Sequence, residues 1–153
     1  MMELTQATLT IRTMVASDIH QVSQIEAENY IDPWNAKIFA DCLQVGYQCV
    51  VLLCEEVIIG YCIVMHVLEE AHLLNIAISQ QSQNQGLGFY FLQHLIHDMQ
   101  QDGSKLIYLE VRQSNIYAQK LYEKLGFNIV GKRKGYYPLG NGREDAILYT
   151  KYL

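Results

Sequence analysis

The chain is expected to fold as an α/β sandwich, with one mixed β-sheet and helices on both faces, in a single domain over residues 1–153. Three observations lead there. The first half carries β-branched apolar runs at 49–53 and 57–68, separated by Glu55-Glu56 in the manner of an antiparallel hairpin. The second half alternates strand-like and helix-like patterns, as a strand–helix–strand–helix unit does. At 153 residues, half of them apolar or aromatic and 18% charged, the chain is long enough to bury a substantial core as one domain.

Residues 8–12, Thr-Leu-Thr-Ile-Arg, alternate like a half-buried strand. Ser17 or Asp18 then caps a helix on which Ile19, Val22 and Ile25 recur at helical spacing, and Pro33 ends this region. Asn35 offers the N-cap of a short helix through Ile38, Phe39 and Leu43, and Trp34 before it reads as core or a hydrophobic staple. Glu69-Glu70 is a second turn, leading to a strand at 73–78 and then a loop from Ser79 to Gln85. From Gly88 onward, Leu92, Leu95, Ile96 and Met99 mark one helix face, and Gly103 stops it. A strand at 105–111 follows, and Ser114 or Asn115 caps the next helix. On that helix Asn115, Ala118, Tyr122 and Leu125 share a face, and Gly126 with Phe127 behind it forms a C-cap with a hydrophobic latch. Closing strands are expected at 127–134 and 146–152, joined by a loop holding Tyr136, Tyr137, Pro138, Gly140 and Gly142.

A net charge of −5 and a pI near 5.4 argue against a nucleic-acid-binding surface, while a basic polypeptide remains an admissible substrate. Cys42, Cys49, Cys54 and Cys62 show neither a C-x-x-C pair nor zinc-finger spacing and read as reduced, structural thiols. His94 and His97 stand three apart without a further ligand cluster, so no metal is expected. No basic segment with an apolar core opens the chain, and its apolar runs are too short to span a bilayer. The expectation is a cytoplasmic protein with no membrane partner.

The stretch from Ile76 to Gly126 carries the chemistry. A strand, a glycine turn at Gly86 and Gly88 and a helix start offer backbone N–H groups and a positive dipole end, which suit a pyrophosphate-bearing ligand. A dinucleotide fingerprint would need glycine where Phe91 stands, although Glu110 falls about where its ribose-binding acid would sit. A P-loop is excluded because no Gly-Lys-Ser/Thr follows the glycines.

Gln83-x-x-Gly86-x-Gly88, followed by Asn115-x-x-Ala118-x-x-Leu121-Tyr122-x-x-x-Gly126-Phe127, resembles the GNAT family of acetyl-CoA-dependent N-acetyltransferases. Asp32-Pro33-Trp34, Asn75-Ile76-Ala77-Ile78, Leu109-Glu110-Val111-Arg112, Tyr136-Tyr137-Pro138 and Gly142-Arg143-Glu144-Asp145-Ala146 narrow the resemblance to the RimI type. That type acetylates the N-terminal alanine of a small-subunit ribosomal protein. The resemblance implies a GNAT-like three-layer sandwich. It also implies acetyl-CoA as co-substrate, with the pantetheine arm on the backbone of Ile76, Ala77 and Ile78 and the pyrophosphate on Gln83, Asn84, Gln85, Gly86, Leu87, Gly88 and Phe89. Asn115 resembles an asparagine that contacts CoA, and the position of Trp34 before the second helix resembles the substrate-side loop of that type. Arginines common in the family's loop are replaced here by Asn84 and Phe89, so pyrophosphate binding must rest on backbone amides and the helix dipole.

Acyl transfer from a thioester to an amine needs a neutral nucleophile and protonation of the departing thiolate. Glu110, facing opposite to Leu109 and Val111 by strand alternation, is the candidate base; its structural alternative is a strand-end carboxylate paired with Arg112 or Lys105. Tyr122 is the candidate acid, its alternative being a packing residue; a phenol pKa near 10 lies close to that of a thiol. The resemblance implies that Glu110 is proton acceptor and Tyr122 proton donor. An N-terminal amine is favoured over lysine because deprotonating an α-amine at pH 7 costs about 1.4 kcal/mol, against about 4.6 for lysine. Two other readings stand beside this one, a GNAT enzyme acting on lysine or a small amine and a non-catalytic CoA-binding module.

Overall fold

The computed structural model describes residues 8–153. Its seven strands are β1 (Leu9–Thr13), β2 (Gln48–Cys54), β3 (Val57–Val67), β4 (Glu70–Ile78), β5 (Leu106–Arg112), β6 (Asn128–Leu139) and β7 (Gly142–Tyr152). Its four helices are α1 (Ile19–Asn29), α2 (Ala36–Val45), α3 (Leu87–Gln101) and α4 (Ile116–Lys124). The strands form one mixed sheet in the order β1-β2-β3-β4-β5-β7-β6. β4 and β5 pair parallel, whereas β1–β2, β2–β3, β5–β7 and β6–β7 are antiparallel. Two compact units divide the chain, one running to Val64 and resuming over Asn75–Phe91, the other made of Met65–Leu74 and Leu92–Leu153.

In the first unit, five consecutive residues of β2, from Cys49 to Leu53, are buried, so this strand is covered on both faces. One of those faces packs Val51, Leu53, Tyr61 and Ile63 against Val22 and Ile25 of α1 and Phe39 and Cys42 of α2. The thiols of Cys42, Cys49 and Cys62 are buried and unbridged, and burial pushes Cys49 up to about 11, which keeps it protonated and inert. Asn35 caps α2 as expected, its Oδ1 accepting from Ile38 N–H at 3.0 Å. Trp34 and Phe39, at N′ and N4 of that helix, lie 5.3 Å apart between ring centroids, which is the hydrophobic staple.

The start of α1 differs from expectation. A short 3-10 turn over Ala16–Asp18 precedes the helix. The Asp18 carboxylate turns back to accept from Val15 N–H at 2.8 Å and from both Arg12 guanidinium nitrogens at 2.8 and 3.0 Å. The Arg12 bond holds Asp18 below the usual carboxylate range against the opposing effect of burial. A group with a lowered folded pKa stabilises the fold above its unfolded pKa, near 3.9, and that stability is lost as pH falls through the folded value. Solvent screens the half-exposed Arg12, so Asp18→Asn is expected to cost only about 1 kcal/mol at pH 7. Urea denaturation should show this gap closing below about pH 4; a gap of the same size at pH 3 would contradict the ion-pair account.

The 49–53 and 57–68 runs do form a hairpin, joined at Glu55 and Glu56 with φ of 49° and 73°. Leu68, read as strand, is instead in the β3–β4 turn at φ 55° and fully exposed. β4 begins three residues earlier than expected, because Ala71, Leu73, Asn75 and Ala77 form its buried face.

In the second unit α4 ends in a Schellman cap. Phe127 N–H reaches Tyr122 C=O at 2.9 Å, Gly126 N–H reaches Glu123 C=O at 3.1 Å, and Gly126 takes φ 91°. The Phe127 and Tyr122 rings then meet at 5.7 Å, the expected latch. The closing strands are longer than expected, and the loop shrinks to a turn between Leu139 and Gly142. Gly135, at φ 60°, lies in a bulge of β6 between Arg133 and Tyr137. Its N–H donates to Asp145 at 2.8 Å and its carbonyl accepts from Arg143 at 2.5 Å, so Tyr136 and Tyr137 belong to a strand. Pro138 is tolerated there because β6 is an edge strand.

Candidate active site

In the first unit, the end of β4 shows two directions. The Ala77 carbonyl faces β3, 3.0 Å from where a Cβ on Gly60 would stand, and Ser79 N–H likewise donates to Ile59 C=O at 2.8 Å. Amides of one strand alternate in direction, so the N–H and C=O groups of Ile76 and Ile78 point to the other edge. On that edge Ile76 C=O accepts from Tyr30 OH at 2.5 Å. Ile78 C=O accepts from Asn29 Nδ2 at 3.1 Å and Gln83 Nε2 at 2.9 Å. With these carbonyls engaged, the N–H groups of Ile76 and Ile78 are the donors that this edge offers an incoming chain.

Gln83 also donates to Asn29 Oδ1 at 2.7 Å, so its side chain anchors the loop to α1 and β4. Asn84 and Gly86 take φ of 64° and 77°, turning the chain from the loop into α3 past Gln85. The helical ladder of α3 starts with Tyr90 N–H to Gly86 C=O at 3.0 Å, which leaves the Leu87, Gly88 and Phe89 amides directed out of the helix start. Leu87 is buried and Phe89 half-buried, so this turn presents backbone. A side chain on Gly86 would meet no protein atom within 4 Å but would sit in the left-handed region. Gly86→Val is therefore expected to strain the turn by about 1–2 kcal/mol and to shield the amides, weakening acetyl-CoA binding about tenfold or more by calorimetry. Unchanged affinity in the folded variant would remove this loop from the cofactor site.

In the second unit, Glu110 projects from β5 with its side chain 18% exposed. Tyr108 OH donates to its Oε1 at 2.9 Å, and Arg133 Nη2 lies 3.7 Å from the same oxygen. The carboxylate's charge raises the Tyr136 phenol, and burial followed by that charge pushes Tyr137 up to about 12, so the phenols stay neutral. Glu110 does not pair with Arg112. That guanidinium donates to Glu144 at 3.0 Å and Pro138 C=O at 2.9 Å and lies 4.6 Å from the centre of the Tyr137 ring. Glu144 in turn accepts from Ser114 N–H at 2.7 Å, tying β7 to the approach to α4. Asn115 caps α4 through Oδ1, accepting from Ala118 N–H at 3.1 Å.

Tyr122 is buried, with its ring 5.9 Å from that of Tyr149. In the β5–β7 register Leu109 opposes Tyr149 and Glu110 opposes Leu148. Opposed residues of an antiparallel pair share a face, so Tyr122 lies on the Leu109 and Tyr149 face and Glu110 on the other. The structure thus places the two candidate catalytic groups on opposite faces of the same strands. Among the described residues, no group of three or more His, Cys, Asp or Glu is arranged to hold a metal ion, and no helix is long and apolar enough to cross a membrane.

The chain belongs to the acetyltransferase (GNAT) family, whose model matches residues 17–127. It is 40% identical over 139 residues to the [ribosomal protein bS18]-alanine N-acetyltransferase of Escherichia coli K12, covering 91% of this chain and 94% of that protein. It is 34% identical over 142 residues to the putative enzyme of the same name from Bacillus subtilis, covering 92% and 93%. The crystal structure of the ribosomal-protein-S18-alanine N-acetyltransferase from Escherichia coli superimposes with a TM-score of 0.89 at 38% identity, over 94% of this chain and 93% of that one.

Proposed function

We propose that this chain, as one N-acetyltransferase domain over 1–153, transfers acetyl from acetyl-CoA to the N-terminal alanine amine of a small-subunit ribosomal protein. The observation that carries the reading is identity of up to 40%, over about nine-tenths of both chains, to enzymes named for that acceptor. The Ile76 and Ile78 amides hold the pantetheine arm, the Gln83–Phe89 turn holds the pyrophosphate through backbone N–H groups, and the Asn115 amide reaches the CoA moiety. Glu110 accepts the amine's proton, and the neutral nitrogen attacks the thioester carbonyl. The C–S bond breaks, and Tyr122 protonates the leaving thiolate. The proton on Glu110 leaves through solvent, and solvent restores the phenol. Base and acid serve different atoms, the attacking nitrogen and the departing sulfur, and direct attack requires both groups to reach one carbonyl carbon from the two sides of these strands. The Tyr108 phenol and Arg133 beside Glu110 hold the carboxylate in one orientation. CoA release measured with an alanine-starting ribosomal peptide, and with the same peptide blocked at its N-terminus, tests the reading. Turnover confined to the free N-terminus supports it, and equal turnover would favour a lysine acceptor.

A further inference from the structure

Between Lys37 and Lys105 the chain contains no lysine or arginine. The turn over 83–89 therefore meets an anion with backbone N–H groups and a helix start, and with no cation of its own. Neutral donors bind an anion well only where they are already aimed, because ordering a loop at the moment of binding costs affinity. The strength of this site depends on what holds the turn.

A closed ring of side-chain hydrogen bonds does so. Asn29 Nδ2 donates to Ile78 C=O at 3.1 Å, Gln83 Nε2 donates to the same carbonyl at 2.9 Å, and Gln83 Nε2 donates also to Asn29 Oδ1 at 2.7 Å. The other Asn29 hydrogen goes to Ile25 C=O at 2.9 Å, within α1. Both hydrogens of the two amide nitrogens and both lone pairs of Ile78 C=O are thereby used. Aspartate at position 29 would aim lone pairs at two carbonyls, and an apolar residue there would leave the Gln83 amide one acceptor short. One residue earlier, Glu28 C=O accepts from Gln80 Nε2 at 2.7 Å and Glu28 Oε1 from Gln80 N–H at 3.2 Å. The end of α1 thus grips the loop at Gln80 and Gln83 and fixes it against the last residue of β4.

We infer that Asn29 is a positioning residue for the cofactor. It acts through Gln83, tying the turn that receives the pyrophosphate to the strand end that receives the pantetheine arm, so that the Leu87, Gly88 and Phe89 amides are aimed before the cofactor arrives. This rests on the cofactor placement proposed above. It predicts an effect that depends on the acetyl donor: a loosened turn weakens ligands that carry the pyrophosphate and spares those that end at the pantetheine arm.

The test compares wild type, Asn29→Ala, Gln83→Leu and the double variant. It reads CoA affinity by calorimetry, Tm, and kcat/KM for acetyl-CoA and for S-acetylpantetheine, which lacks the pyrophosphate. In Asn29→Ala both CoA affinity and kcat/KM for acetyl-CoA should fall roughly tenfold, with kcat/KM for S-acetylpantetheine within about twofold of wild type. A loosened fold would lower both donors together. Gln83→Leu keeps the backbone N–H and should lose as much CoA affinity, and the double variant should lose no more than either, because the ring acts as a unit. Should Asn29→Ala fail to fold, Gln83→Leu decides alone. Unchanged CoA affinity in the folded variants overturns the inference. So do losses that add, which would mean that Asn29 does not act through Gln83, and so does an equal loss with S-acetylpantetheine, which would make Asn29 a support of the β4 edge. Calorimetry needs no acceptor, so a wrong acceptor leaves the test intact. A wild type that uses the two donors equally well makes no pyrophosphate contact, and overturns the cofactor placement together with the inference.

Discussion

Glu110→Gln should lower the rate of acetyl transfer by about two to four orders of magnitude at pH 7, the usual range for a lost general base. The substitution keeps size and the Tyr108 hydrogen bond, because the amide oxygen can still accept from the phenol. What it removes is the capacity to take a proton. Part of the loss should return as pH rises toward 9, where more of the substrate α-amine, with a pKa near 8, is already neutral. A positioning role predicts instead a raised peptide KM and little rescue by pH. Steady-state rates on an alanine-starting peptide from pH 6 to 9 separate the two, and wild-type rates throughout would sink the base assignment.

Tyr122→Phe should lower kcat by about two to three orders of magnitude while acetyl-CoA affinity stays near wild type. The ring is held by Phe127 and Tyr149 at 5.7 and 5.9 Å, and these contacts survive the loss of the hydroxyl. Stability should therefore fall by no more than about 1 kcal/mol, the net value of one hydrogen bond. Full activity in this variant would make Tyr122 a packing residue and would mean that the thiolate leaves unaided or takes its proton from water.

Much of the geometry behind these expectations is local and was legible in the chain. Asn35 before an apolar helix, Trp34 one residue earlier, and Gly126-Phe127 after a helical face are short-range signals whose physics needs no tertiary partner. The Schellman cap also involves the candidate acid, because the residue whose carbonyl it binds is Tyr122. Other features depend on partners far away in sequence. Glu55 and Glu56 lack the Asn or Gly that a positive-φ hairpin turn favours, and the β2–β3 register overrides that preference. Tyr136 to Leu139 read as loop because Pro138 lies among them and Gly135 and Gly140 flank them, yet Arg143 and Asp145 hold the bulge that returns the chain to the sheet. Asp18 read as a helix cap because nothing nearby announced Arg12 across the turn.

The site divides in the same way. Tyr108, two residues before Glu110 and on the same strand face, was within reach of period-two reasoning, whereas Arg133 and the Arg112–Glu144 pair were not.

The central claim is that the acceptor is an N-terminal alanine amine. It is tested most directly by incubating the protein with acetyl-CoA and an unmodified alanine-starting small-subunit ribosomal protein, then locating the added mass by fragmentation mass spectrometry. The account predicts one acetyl group per chain, in the fragment carrying the first residue, and its loss when that alanine is blocked. Acetyl groups spread over internal lysines, with a free N-terminus, would contradict it.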